Sequence, residues 1–345
     1  MKSILLIGAG VTISLVLFSF QSARFERKDK LSEYNFFTGR LADLGPVEDV
    51  VPYDLNTPLF SNYAEKLRFI QLPQGTQANY NDTATFEFPR GSILIKNFYY
   101  PNDFRKPEKG RRIMETRLLV NTVNGWEAYP YIWNDEQTEA FYDVAGDTKQ
   151  IAYIDEKGKK VNTSYLIPNK NQCKGCHVRA GKMTPIGPTA RNLNRNYSYP
   201  NKKENQLAHW SDMGLIQKVN PDSSPKIPIW NDPKSGSLDL RARAYLDVNC
   251  GHCHSRLGPA STSGLFIDHY EKDPAHLGIM KSPVAAGRGS GDLPFDIVPG
   301  DPGKSILIYR MKTIDPGIAM PEIGREQIHK EGVALIEEWI RNLPR

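Results

Sequence analysis

All four cysteines of the chain fall into two copies of one pattern, Cys-x-x-Cys-His. The first is Cys173-Lys174-Gly175-Cys176-His177 and the second is Cys250-Gly251-His252-Cys253-His254. Paired cysteines alone are compatible with a four-thiolate zinc site, a redox dithiol or a structural disulfide. None of these requires a histidine directly after the second cysteine. With seven histidines in 345 residues, chance fills that position about one time in fifty, and both positions roughly one time in 2,500. The pattern that does require the histidine is the attachment signature of c-type haem. The cysteine sulfurs take up the porphyrin vinyl groups and the histidine becomes the proximal iron ligand. The reading is therefore two covalently bound haem c groups, with Cys173, Cys176, Cys250 and Cys253 as attachment points and His177 and His254 as axial ligands.

The start of the chain bears on location. Met1-Lys2 precedes an apolar run from Ile4 to Phe20, and Arg24, Arg27 and Lys28 follow it. Residues 1–23 read as a secretory signal peptide or a membrane anchor. Ser22 and Ala23 are the best cleavage candidates, and cleavage is the preferred reading. In either case the bulk of the chain is expected outside the cytoplasm, in a bacterial periplasm, where c-type haem is attached. The net charge of +5 is modest and both signs are interspersed, which argues against a nucleic-acid-binding surface.

Residues 30–168 read as a β-rich domain. Thr85–Phe88 alternates, and residues 92–100 are rich in isoleucine and aromatics. Met114, Thr116, Leu118 and Val120 are expected on one strand face, and Tyr129, Tyr131 and Trp133 on another. Asp155-Glu156-Lys157-Gly158 is placed as a hairpin turn between two strands. Together these predict an antiparallel sandwich or small barrel. The stretch holds no histidine or cysteine, so a transition-metal site inside it is not expected. Asp143 and Glu115 have nothing to raise them above surface charge, and the domain reads as a packing and docking module. Residues 169–235 form the first haem region, with its motif placed in a loop and a helix over 204–217. A proline-rich linker at 221–233 precedes residues 236–345, the second haem region. There helices are predicted over 238–248, 304–312 and 325–343. The glycines at 287, 289 and 291 read as a flexible loop, since no strand-turn-helix context supports a phosphate site.

From Leu238 to Arg345 the chain resembles a class I cytochrome c domain. A helix runs into Cys250-x-x-Cys253-His254, and a Gly258-Pro259 turn and a short helix follow. Then come Pro316-Gly317-Ile318-Ala319-Met320-Pro321 and a terminal helix. The resemblance implies that Met320 is the distal iron ligand of the second haem. It also implies that the first and last helices cross near Tyr245, Gly332 and Trp339. The expected fold class is α+β multidomain: an antiparallel β-rich N-terminal domain followed by a mainly α-helical, cytochrome c-like di-haem region. The whole chain is similar to a family of exported bacterial di-haem c-type cytochromes.

For the first haem, the distal position is left between Met183, Met213, His209 and an open site. A carbonyl of Pro185 or Pro188 is expected on His177 Nδ1. Arg288 is a candidate partner for a haem propionate. His252, His269, His276 and His329 read as structural or exposed. The function expected is periplasmic electron transfer between redox protein partners, with a membrane tether if the leading segment is retained. An electron carrier is preferred to a catalyst. The alternatives are a di-haem oxidoreductase or peroxidase-like enzyme with an open first haem, and a ligand-binding module fused to cytochrome c.

Overall fold

The computed structural model describes residues 25–284 and 286–344; the proposed leader at 1–23 lies outside them. The centre of the fold is a six-stranded antiparallel meander built in sequence order: Val51–Tyr53, Glu65–Gln71, Ile93–Pro101, Arg111–Thr122, Gly125–Trp133 and Ala140–Tyr142. β-branched and aromatic residues dominate these strands, and both faces are covered. One face buries Ile95, Leu118, Val120, Tyr131 and Trp133 beneath an N-terminal layer carrying Leu31, Phe36 and Leu44. Tyr129, Tyr131 and Trp133 share that face as their spacing predicted.

Met114 does not. Phe98 pairs with Glu115 but the next residue, Tyr99, pairs with Ile113. The bulge leaves Met114 unpaired and turns it into a separate cluster with Phe98, Tyr100 and Tyr165. The predicted hairpin is present, with strands Asp147–Ile154 and Lys160–Ile167 closed by the Asp155–Lys159 turn. Thr85–Phe88 makes only isolated bridges.

The second face of the sheet carries the first motif region. Val51, Ile70, Leu94, Leu119 and Ala128 share one apolar cluster with Cys173, Leu193, Leu207 and Trp210. The motif is helical and does not lie in a loop. Helix α1 spans Lys170–His177, capped by reciprocal bonds between the Asn169 side chain and Gln172. Further short helices follow at Ala190–Leu193 (α2) and Gln206–Asp212 (α3). The predicted 204–217 helix is cut short at the left-handed Gly214.

The expectation of a mainly α-helical, cytochrome c-like region is not met. Strand exceeds helix overall, 27% against 22%. Among the described residues of 236–345 there are three α-helices: α4 Leu238–Leu246, α5 Ile306–Met311 and α6 Lys330–Arg341, of nine, six and twelve residues. The rest is a π-helical turn over Asp247–Gly251, short 3-10 turns and loops. Proline explains much of this: Pro274, Pro283, Pro294, Pro299, Pro302, Pro316 and Pro321 remove donors and block helix interiors. α6 starts five residues later than predicted, because its N-terminal approach is tied elsewhere by Asn62.

Polar side chains join these parts. Asn62 Oδ1 accepts the backbone N–H groups of Glu326 (2.9 Å) and Gln327 (3.1 Å). Asn249 Oδ1 accepts Phe60 N–H at 2.9 Å. Asn192 exchanges two bonds with the Thr57 backbone (2.9 and 3.1 Å). Arg191 pairs with buried Asp247 at 3.0 Å. Each satisfies buried groups that would otherwise be costly.

Within 236–345, α4 lies against α6 at Tyr245 and Gly332, where a Cβ on Gly332 would stand 2.3 Å from the Tyr245 hydroxyl and 2.7 Å from His329 Nδ1. Gly332→Ala is expected to destabilise the protein by about 1–3 kcal/mol through overpacking. Urea denaturation of the two proteins measures this, and equal midpoints and slopes would show that the contact is looser than described.

Candidate functional site

The two motifs, whose histidines are 77 positions apart in the chain, converge on one cavity of about 430 Å³ between the sheet and the C-terminal region. Cys173, Cys176 and His177 line it, as do Cys250 and His252 of the second motif and Met320 of the methionine loop. Cys253 and His254, the rest of the second motif, are not among its lining residues.

Helix α1 brings Cys173, Cys176 and His177 to the sheet. His177 Nδ1 donates to the Thr184 carbonyl at 2.9 Å. The acceptor is Thr184, one residue before the predicted Pro185. This bond fixes the tautomer and leaves the Nε2 lone pair free. Burial holds the imidazole pKa down at about 4, so the ring is neutral. Gly175 leaves room for Ile323, whose Cδ1 would be 3.1 Å from a Cβ there. The first motif is thereby packed against the loop that carries Met320.

The second motif follows α4, which is capped by Ser237 and continues through a wider turn over Asp247–Gly251. Gly258 is obligatory in the turn after it: a Cβ would lie 2.1 Å from the Cys253 carbonyl oxygen. His254 Nδ1 meets Ser263 Oγ at 3.3 Å, and that hydroxyl donates to the Ala260 carbonyl at 2.7 Å. The ring must therefore be the donor at Nδ1. Burial, then Arg310, depresses its pKa to about 4.

Burial holds the four thiols in the neutral form. Burial pushes Cys250 and Cys253 up to about 12 and raises Cys173 and Cys176 as well. A catalytic dithiol or a zinc site needs the opposite shift. All four cysteines are unpaired. Among the described residues no group of three or more His, Cys, Asp or Glu side chains is gathered to hold a bare metal ion.

Met320 stands on a braced loop. Its N–H donates to the Arg310 carbonyl at 3.1 Å, and Arg325 donates to the carbonyls of Met311 (2.9 Å), Arg310 and Thr313. The two methionines considered for the first haem are elsewhere. Met183 packs against the apolar cluster of the sheet and is not in the cavity lining. Met213 is exposed beside a surface groove near Gln77. His209 stacks on Tyr199 at 3.5 Å and bonds Glu204 at 2.5 Å. Arg288 pairs with Asp315 at 2.9 Å on the surface.

Several residues not anticipated from the sequence line the site. His252 faces the cavity with Nδ1 unpartnered. Arg68, Lys96 and Arg117 of the sheet also line it. Glu115, expected to be a surface carboxylate, is fully buried and accepts from Arg117 (2.5 and 2.6 Å) and from the Tyr165 hydroxyl (2.6 Å). Only strand register reveals these neighbours, so sequence spacing carried no signal for them.

The cavity lining offers three thiols (Cys173, Cys176 and Cys250), the His177 imidazole, the Met320 thioether and the cations Arg68, Lys96 and Arg117, groups that would suit an iron porphyrin and its carboxylates. Among known proteins, the chain matches no family model, no curated protein and no solved structure. No helix among the described residues is long and apolar enough to cross a membrane.

His329 also lines the cavity, stacked on Phe60 at 4.1 Å with Nδ1 bonded to the Tyr245 hydroxyl at 2.9 Å. Burial lowers its pKa from 6.5 to about 4. Its contribution to stability is complete above about pH 6.5 and is lost as pH falls toward 4, because the unfolded state takes up the proton first. His329→Phe, which keeps the stacking, should make the acid limb of the stability–pH curve shallower between those values. An unchanged limb would contradict a neutral buried ring.

Proposed function

We propose that the protein is an exported di-haem c-type cytochrome that transfers electrons between periplasmic redox partners. The observation that carries this reading is the facing of both Cys-x-x-Cys-His motifs, through Cys173, Cys176, His177, Cys250 and His252, into one cavity. Two groups attached there would be close neighbours. The leading apolar run supports export.

In this reading the bound haems supply the one-electron chemistry. The chain's own residues set the conditions for it. Thr184 and Ser263 hold the two proximal imidazoles in the ligating tautomer. Met320 offers a thioether, which favours ferrous iron and raises the potential. The Arg325 bonds brace the chain before that loop through the carbonyls of Arg310, Met311 and Thr313. Gly258 and Gly175 let backbone and side chains close around the motifs.

A second reading has one observation in its favour. Neither Met183 nor Met213 lines the cavity, so neither of the methionines considered for the first haem is placed to ligate it, which favours a first haem open to a small molecule. Two low-spin six-coordinate haems would support electron transfer alone, whereas one high-spin haem that takes up cyanide or carbon monoxide would support catalysis.

The proposal predicts that the exported protein is coloured, and that pyridine-haemochrome analysis finds two covalent haems per chain. Cys253→Ser should lower the properly attached count to one, and two normal attachments in that variant would refute the assignment of the second motif. Met320→Ala should abolish the far-red sulfur-to-iron band and lower one midpoint potential only. Retention of the band would exclude Met320 as the ligand.

A further inference from the structure

The sheet face turned toward the cavity carries three cations in one cross-strand row. Arg68 is opposite Lys96, and Lys96 is opposite Arg117. Like charges directly opposite on neighbouring strands repel, so such a row needs anions to hold it. Two of the three have them. Arg68 pairs with Asp54 at 2.9 Å, and Arg117 pairs with Glu115 at 2.5 Å.

Lys96, in the middle, forms no ion pair or hydrogen bond among the described residues. Its ammonium sits 4.7 Å from the centre of the Phe98 ring, and the Arg117 guanidinium lies 4.2 Å from the same ring. A shared aromatic face does not neutralise two cations. Burial, then Arg68 and Arg117, pull the Lys96 pKa well below its ordinary value. The side chain lines the cavity and is within electrostatic reach of His177 and His252. An unpaired ammonium, half-buried in the cavity wall between two guanidinium groups, is costly unless a ligand brings the missing negative charge.

We propose that Lys96, with Arg117 beside it, is a carboxylate-binding site in the cavity wall, and that its occupant is a haem propionate. This assignment rests on the di-haem reading above. It gives the β-rich part of the chain a direct role: the sheet supplies the anchoring cation for a group attached to a distant segment. Arg288, the candidate from sequence, is engaged with Asp315 instead.

The test uses the full haem-loaded chain with Lys96→Gln and Lys96→Arg. In Lys96→Gln, with both haems still attached, one midpoint potential should fall, because a nearby cation favours the reduced iron. The propionate-bending band in the resonance Raman spectrum should shift as well. Lys96→Arg should restore both readouts. Unchanged potentials and an unchanged band in Lys96→Gln would overturn the site. Added acetate separates the two sources of a carboxylate: a Lys96-dependent shift of the wild-type visible spectrum would mean a soluble anion occupies the position, overturning the propionate assignment. A wild-type protein without covalent haem would overturn the reading beneath it, and the haemochrome count separates that failure from the others.

Discussion

The structure depends on bringing two sequence-distant Cys-x-x-Cys-His segments to a single cavity and holding them there. Apolar packing alone does not do this, since the clusters around α1 and around α4–α6 are separate. Directed polar bonds bridge them. Asn62 holds the start of the segment leading to α6, Asn249 holds Phe60, and Arg191 joins Asp247 just before the second motif. Asp247 also accepts the His269 N–H at 3.0 Å. These bonds are part-buried and specific in geometry, so they fix the relative placement of segments that hydrophobic burial would leave loosely defined.

The charges in the cavity wall follow from the same economy. Glu115 is surrounded by donors, and Arg68 has Asp54, but the row is left one negative charge short at Lys96. On the proposed reading, this deficit beside the chain's four cysteines calls for a ligand that is anionic as well as apolar. Porphyrins with propionate groups have that combination, which is why the motif reading and the charge reading support one another though they rest on different residues.

What could be read in advance divides along physical lines. The two motifs are local, so their residues could be named from spacing alone; Cys173, Cys176, His177 and Cys250 line the shared cavity, and Cys253 and His254 do not. The Asp155–Gly158 turn and the shared face of Tyr129, Tyr131 and Trp133 are set by turn chemistry and period-two alternation, so they too were legible. The helical setting of the first motif was readable and missed: Asn169-x-x-Gln172 is a capping box. The bulge at Met114 and the Arg68–Lys96–Arg117 row were not readable, because register between strands is decided by tertiary packing. The helical C-terminal domain was inferred from the order of a few signatures. Its prolines and glycines weighed against long helices, and the structure follows them.

The central claim is that both proposed haems share one cavity, close enough to interact. Circular dichroism of the haem-loaded protein in the Soret region tests it most directly. Neighbouring porphyrins couple their transitions, so the account predicts a two-signed couplet that collapses to a single-signed band when Cys250 and Cys253 are both replaced by serine. A simple single-signed band from a chain carrying two covalent haems would contradict it.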